Sequence, residues 1–343
     1  MKSRLHSSKA GAVVPAVGAV KPFGRRYCLF AAGLILAAGA VSAVCSAQLE
    51  SNQQENVRIV KAVNRTILAA VEPEPLSMPS DAAVGPEGDL YVLDGVNHRV
   101  VVYDADGKFR FEFGSGGSRP GQLLFPLGIA AGPDGRVYVA DSGNHRFQVF
   151  DSNGKVLDTV SLPDVPSGTP PDPADIVVDP NRERLYITDN DNHHVLVYNL
   201  AGREFESIWG SPGQDQRQFR FPFLMDISPQ GYLFIVEPIN TRVQVLNQNG
   251  KFVNFIGGWG VKAGQLFRPK GIAVFDDKVF VTDSYLGSVQ VFDTRGAFLG
   301  VLVDAAGAPV KFVTPTGIAI DRKRKRLYVV ELKAGRVSRV DLE

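Results

Sequence analysis

Short apolar runs that close on an acidic residue recur along the chain: LYVLD at Asp94, VYVAD at Asp141, LYITD at Asp189, LFIVE at Glu237, VFVTD at Asp283 and LYVVE at Glu331. Their successive spacings are 47, 48, 48, 46 and 48 residues. Each run is followed by a segment such as HRFQVF in which polar and apolar residues alternate, the period of a strand with two different faces. A glycine then stands 13 residues beyond the acidic residue, at Gly107, Gly154, Gly202, Gly250 and Gly296, within turns such as DADGK and DSNGK. Asp/Asn/Gly turns of this kind join hairpin strands. GPEGD, GPDGR and SPQGY supply the same chemistry ahead of the apolar run. Each unit therefore predicts four short strands, a to d: an opening strand such as GIAAG, the LYVAD type, the HRFQVF type, and a last strand after the glycine.

A four-stranded unit repeating near every 48 residues has the period of a β-propeller blade. Six units account for Val57 to Glu343, which predicts an all-β, six-bladed propeller over residues 57–343. The sixth unit holds TGIAID, RLYVVE and RVSRVDLE but no d strand. Counting 20 residues back from Asp81 falls on Lys61, so Val57–Val71 is expected to provide that outer strand and close the ring.

The turns between strands b and c read Asn97-His98-Arg99, Asn144-His145-Arg146 and Asn192-His193-His194. With LYVAD before them and VFDSNGK after, these resemble the NHL repeat family, and the resemblance covers the chain after residue 56. It implies a propeller and leaves function open, because similar repeats serve peptide-amidating lyases, sensor domains, RNA-binding modules and extracellular scaffolds. The last three units depart from the motif, reading EPINTRV, DSYLGSV and ELKAGRV.

Composition changes the picture mainly at the N-terminus. Before Glu50 there is no acidic residue, while Lys2, Arg4, Lys9, Lys21, Arg25 and Arg26 precede the uncharged run Cys28–Ala47. A basic stretch followed by an apolar one is the pattern of an export signal or an N-terminal anchor helix, placing everything after Glu50 beyond the membrane. Residues 1–49 are thus read as signal peptide or anchor and 50–56 as a linker. Both cleavage and retention fit, and Cys45 is a third option as a lipidated cysteine, although Ser42 and Val44 depart from that pattern. The expected location is the periplasmic or extracellular face of a membrane. Cys28 and Cys45 are the only cysteines, so the propeller holds no disulfide and no cysteine metal site. With 37 Lys and Arg against 36 Asp and Glu, no global positive field favours nucleic acid.

Candidate chemistry is sparse. His98, His145 and His193 hold equivalent positions and invite a three-histidine zinc site. Equivalent turns in neighbouring blades lie on the order of 11 Å or more from the axis, given a strand spacing of about 4.8 Å. A zinc ion needs its ligands within about 2.1 Å, so the imidazoles are read as bonded within their turns, beside turn-fixing pairs Asp94–Arg99 and Asp141–Arg146. Aligned on Gly128, the starts of the opening strands are Asp81, Gly128, Asp175, Leu224, Gly271 and Gly317, with Asp226 two residues further in. Carboxylates converging at a channel mouth would suit Ca²⁺; the plainer reading of Asp81, Asp175 and Asp226 is strand capping.

Strand alternation puts the b–c turns and the long d–a connectors on one face. That face carries Arg99, Arg119, Arg146, Arg217, Arg220, Arg242, Arg268 and Lys270 beside Trp209 and Trp259, a mixture typical of recognition surfaces. The basic run Arg322–Arg326 falls in a hairpin of the other face and reads as a solvated turn. The leading expectation is a non-enzymatic, exported or anchored scaffold that binds a protein, peptide or envelope glycan through its long-loop face, without nucleic acid or cofactor. The alternative is a metal-dependent lyase or hydrolase in the axial channel, similar to amidating or lactone-cleaving propellers.

Overall fold

The computed structural model describes residues 60–68, 70–165, 169–179 and 181–343. The expected N-terminal hydrophobic helix, the linker and residues 57–59 lie outside the described residues. Within those described, the chain is an all-β, propeller-like fold of four-stranded blades, with two single 3-10 turns at Ser142–Asn144 and Leu332–Ala334 and no α-helix. No described helix is long and apolar enough to cross a membrane.

Strand β1 (Val60–Ile67) comes first. Repeat 1 then contributes β2 (Pro79–Val84), β3 (Leu90–Asp94), β4 (Arg99–Tyr103) and β5 (Phe109–Phe113). Repeat 2 contributes β6 (Gly128–Ala131), β7 (Val137–Asp141), β8 (Arg146–Phe150) and β9 (Val156–Ser161), and repeat 3 β10 (Pro173–Asp179), β11 (Arg184–Asp189), β12 (His194–Asn199) and β13 (Glu204–Trp209). A small pair, β14 (Ser211–Pro212) and β15 (Gln218–Phe219), stiffens the next connector. Repeat 4 holds β16 (Met225–Ile227), β17 (Leu233–Glu237), β18 (Arg242–Leu246) and β19 (Phe252–Gly257); repeat 5 holds β20 (Pro269–Phe275), β21 (Lys278–Asp283), β22 (Ser288–Asp293) and β23 (Phe298–Val303). Repeat 6 ends the chain with β24 (Pro315–Asp321), β25 (Arg326–Glu331) and β26 (Arg336–Leu342).

The missing outer strand of repeat 6 is β1. It runs antiparallel to β26, with Ala62 opposite Leu342 and Ile67 opposite Ser338. Its first residues also run parallel to β23, Val60 opposite Leu302 and Lys61 opposite Val303, so one strand joins repeats 5 and 6 into a sheet of eight. Arg65 fastens this seam by donating to Glu331 and Ser338 across more than the length of five repeats. The innermost strands pack in succession, β2 on β6, β6 on β10, β10 on β16, β16 on β20, β20 on β24, and β24 back on β2.

Every residue of β3, β7 and β17 is buried, because each sheet is sandwiched between two neighbours; that is why the apolar runs do not alternate. The core clusters are accordingly shared: Tyr138 and Phe147 of repeat 2 pack with Leu185, Leu196 and Tyr198 of repeat 3, and Phe234 of repeat 4 with Val279 and Phe292 of repeat 5. Each such large side chain contributes about 1.5–3 kcal/mol on leaving water. The c–d turns close as their sequences direct. Asp104 Oδ1 accepts from the N–H groups of Asp106 and Lys108, both at 2.9 Å, and Asp151, Asn247 and Asp293 do the same. Repeat 3 departs: Asn199 accepts from Gly202, and the left-handed residue is Arg203 at φ 56° rather than the glycine.

Candidate functional site

A cavity of about 650 Å³ runs along the innermost strands, walled by Ala82, Ile129, Val177, Ile227, Ile272 and Ile318. Asp81, Asp175 and Asp226 all face it. The first two are buried, 6% and 2% exposed, and the cavity extends from them to the a–b hairpins at Pro86, Pro133, Pro229 and Lys323. Each carboxylate also ties its own inner strand to the next. Asp81 Oδ2 accepts from Ile129 N at 3.2 Å, Asp175 Oδ2 from Met225 N at 2.5 Å, and Asp226 Oδ2 from Val274 N at 2.6 Å. The neighbouring glycines make room. A Cβ on Gly128 would stand 2.4 Å from Asp175 Oδ1 and 2.5 Å from its Cα, and one on Gly317 would stand 2.4 Å from both the Cα and the Oδ1 of Asp81.

Burial pushes the Asp81 carboxyl up to about 7, against the pull of the N–H groups of Ala82 and Ile129, and the Asp226 charge adds to the rise. Asp175 is raised well above the usual range by burial and by Asp81. Burial raises Asp226 too, countered by Arg322, whose Nη2 lies 3.9 Å away. Among the described residues no group of three or more His, Cys, Asp or Glu is arranged to hold a metal ion. Arg322 and Lys323 line the cavity rim, Lys323 Nζ donates to Pro86 O at 2.7 Å, and Arg324 pairs with Asp321 at 2.9 Å, so this basic run is more than a solvated turn.

On the other face, three of the seven arginines named for it, Arg99, Arg146 and Arg242, hold the b–c turns, the first two in the turn-fixing pairs read from the sequence. Arg99 is buried, with Nε 2.9 Å from Asp94 and Nη1 2.8 Å from Glu112. Arg146, also buried, pairs with Asp141 at 2.6 Å and donates to the carbonyls of Ser118, Arg119 and Gln122. Arg242 repeats the arrangement with Glu237 at 2.8 Å, donates to Gln214 O, and stacks 3.9 Å from the centre of Phe255. Repeat 4, whose EPINTRV turn departs from the motif, thus rebuilds the arrangement with Glu237, Asn240 and Arg242. Repeat 3 substitutes His194, whose Nε2 is 3.1 Å from Asp189; burial raises that carboxyl, but the His194 and backbone hydrogen bonds outweigh it and hold it below its ordinary value. Trp209 is buried against Tyr186 between repeats, and burial lowers the Lys270 ammonium, which sits 4.6 Å over Phe223. These groups are structural because the strand ends they bind would otherwise bury unpaired backbone.

The histidines also differ from expectation: they reach out of their turns to the next connector. His98 Nδ1 accepts from Phe125 N at 3.1 Å and His193 Nδ1 from Phe221 N at 3.2 Å, while His145 Nδ1 lies 2.5 Å from Pro171 O. Phe125 and Phe221 stand edge-on to those rings, at centroid distances of 4.8 and 4.5 Å. Both belong to a position that sequence reasoning missed, the residue before a proline at the entry to each innermost strand: Met78-Pro79, Phe125-Pro126, Asp172-Pro173, Phe221-Pro222, Arg268-Pro269 and Thr314-Pro315. The recurrence of X-Pro at the repeat period was the available signal. Met78, Phe125, Phe221 and Thr314 hold left-handed backbone, φ 48°, 44°, 51° and 50°. Such strain in bulky residues persists only where the surroundings enforce it.

The same face exposes large apolar side chains: Met78, Val96, Phe125, Phe221, Ile239, Trp259 and Val313. Arg119, Arg217, Arg220 and Arg268 are exposed on the same face. Charge is unevenly divided. Glu72, Glu74, Asp164, Asp172 and Asp191 edge repeats 1 to 3 with Arg119 among them, whereas Arg217, Arg220, Lys262, Arg268, Lys311 and Lys333 edge repeats 4 to 6 with Asp215 and Asp304 among them.

Comparison with known proteins agrees with this architecture. The NHL repeat model matches residues 76–103, 123–150 and 171–198, and a model described as a 6-bladed beta-propeller matches 263–343. A stretch of 46 residues is 46% identical to Protein brain tumor of Drosophila melanogaster; it is 13% of this chain and 4% of that protein. Among solved structures, a streptogramin B lyase is similar over 82% of this chain and 98% of its own, at 15% identity and a TM-score of 0.55. A gluconolactonase from Xanthomonas campestris is similar over 84% and 99%, at 14% identity and a TM-score of 0.60. The WD40 repeats of RRP9 are similar over 83% and 100%, at 12% identity and a TM-score of 0.60. At these identities the likeness extends to the fold alone.

Proposed function

We propose that the chain is a six-bladed NHL-type propeller, exported or held at the outer face of a membrane by its N-terminal segment, that acts as a non-enzymatic scaffold and binds a protein partner through its long-loop face. One observation carries this reading: Phe125, Phe221, Ile239 and Trp259 are 56%, 41%, 58% and 74% exposed on the same face. Large apolar groups gathered in water mark contact surfaces. The test places a photo-crosslinking residue at Phe125 or Ile239 on the long-loop face and at Lys323 on the hairpin face of the full chain in its own cells. Crosslinks to a protein from the first two positions and none from Lys323 are expected; the reverse pattern overturns the reading. A periplasmic reporter fused after Glu343 tests the location, and an inactive fusion ends the exported assignment.

A second reading has its own support. The carboxyl of Asp81, poised near 7 inside a cavity of about 650 Å³, has the protonation balance of a general acid or base, as a lyase or hydrolase working in the channel would need. Its test is turnover of lactone and cyclic ester substrates by the wild type and by Asp81→Asn. Activity lost in a variant that still melts cooperatively would establish it.

A further inference from the structure

Among the described residues, repeat 4 alone places a large exposed apolar residue at all three points where a repeat reaches the long-loop face. Phe221 stands at the entry to β16, Ile239 in the b–c turn and Trp259 at the exit from β19. The backbone brings them together. Phe223 N donates to Val236 O at 2.9 Å, which sets the entry segment beside the turn, and Arg242 pairs with Gly257, which sets the exit beside it on the other side. Asn240 Nδ2 donates to Gly213 O at 3.1 Å and fixes the turn to the connector carrying β14 and β15. His193 of repeat 3 supports Phe221 from behind, its Nδ1 accepting from the Phe221 N–H and its ring in edge-on contact.

Around this patch stand Arg217, Arg220, Lys262 and Arg268, all exposed and, among the described residues, in no salt bridge. The single acidic side chain in the same connectors is Asp215. The arginines below them, by contrast, are each matched to a buried carboxylate, as Arg242 is to Glu237. Unmatched cations around exposed aromatics are complementary to one kind of partner surface. We infer that the long-loop end of repeat 4 is a docking site for an acidic, aromatic or aliphatic polypeptide segment, whose apolar side chains cover Phe221, Ile239 and Trp259 while its carboxylates meet the four cations. This rests on the scaffold reading and narrows it to one blade and one partner chemistry.

The test selects a randomised peptide display library on the immobilised full chain in detergent. Expected is a pool enriched in Asp, Glu and large apolar residues, whose strongest synthetic peptide changes the emission of Trp259, the exposed one of the two tryptophans. Binding of that peptide should fall about tenfold or more in Ile239→Asp and in Arg217→Glu with Arg268→Glu, should survive Arg268→Lys, and should weaken with salt. Unchanged melting temperatures show that these variants fold. A selected pool that is basic or uncharged, yet still sensitive to Ile239→Asp, overturns the acidic partner and leaves the scaffold reading standing. Peptides insensitive to every one of these substitutions overturn both. No enrichment, or tighter binding of a single-stranded RNA pool than of any peptide, overturns the docking site.

Discussion

The axis of the propeller and its long-loop face invert the usual distribution of side chains in opposite ways. Along the axis, carboxylates that normally seek water are buried around a cavity; across the long-loop face, aromatic and aliphatic groups that normally seek the core stand in solvent. The buried charges have a structural explanation, since Asp81, Asp175 and Asp226 each bind a backbone N–H of the next innermost strand. The exposed apolar groups have none, because nothing in the fold requires Ile239 or Trp259 to be large. A buried polar group that is satisfied reads first as architecture, and an exposed apolar patch that is unsupported by packing reads first as recognition.

The comparison is broken most severely at the inner ring. Gly128→Ala or Gly317→Ala drives a Cβ into the backbone of the neighbouring strand, so each should lose more than the ~1–3 kcal/mol of ordinary overpacking and give mostly insoluble protein. An Ala variant that melts like wild type would refute the tight ring. Next comes Glu331→Ala. It strips the acceptor shared by Arg65, Arg336, Ser338 and the N–H of Val313, and should cost about 3–5 kcal/mol by denaturant titration. Burial raises the Glu331 carboxyl but the bonds from Arg336 and Ser338 lower it further, so its stabilising contribution is present above the ordinary glutamate range and fades as pH falls below it.

Asp81→Asn sharpens the contrast with the opposite sign. The folded pKa of Asp81, about 7, exceeds the ordinary 3.8, so the folded state holds this proton more tightly than the unfolded chain does. Stability is therefore full at low pH, declines as pH rises from about 4 to about 7, and levels off above. The amide keeps the acceptor for Ile129 N without the charge, and should raise stability at pH 8 by roughly 2–3 kcal/mol and leave it unchanged near pH 3. Equal melting temperatures of the two proteins across that range would show that Asp81 is solvated. The smallest effect on folding is expected at the long-loop face. Ile239→Ser should shift stability by less than about 0.5 kcal/mol while abolishing partner crosslinking, and a large stability loss would reassign the residue to the core.

Much of this was legible in the chain. The acidic residue closing each apolar run and the glycine after it mark strands b, c and d, and the b–c turns of repeats 1 and 2 announce their carboxylate–arginine pairs. Repeat 4 was harder, because Glu237 and Asn240 perform the task of Asp94 and Asn97 with a longer acid and without the histidine. The X-Pro position at 78, 125, 172, 221, 268 and 314 was visible as spacing, yet its side chains vary from Met to Asp to Arg, so no shared chemistry drew attention to it. The spacing of five residues that joins Asp94 to Arg99 and Asp141 to Arg146 also joins Glu237 to Arg242, but it gave no hint that Arg242 stacks on Phe255 while Arg217 faces water.

The sequence by itself determined the strands, their turns, the repeat, and the need for a borrowed outer strand, because these follow from local periodicity and turn chemistry acting over a few residues. The tertiary structure decided the direction in which the axial cavity opens, the seating of Asp81 against Gly317 and of Asp175 against Gly128, the double pairing of β1, and the gathering of Phe221, Ile239 and Trp259 on one blade. Those are contacts between residues a whole repeat apart, or at opposite ends of the domain. They exist only after each twisted sheet has packed on the next, and a period read along the chain fixes the existence of that packing but not which side chains it brings into reach.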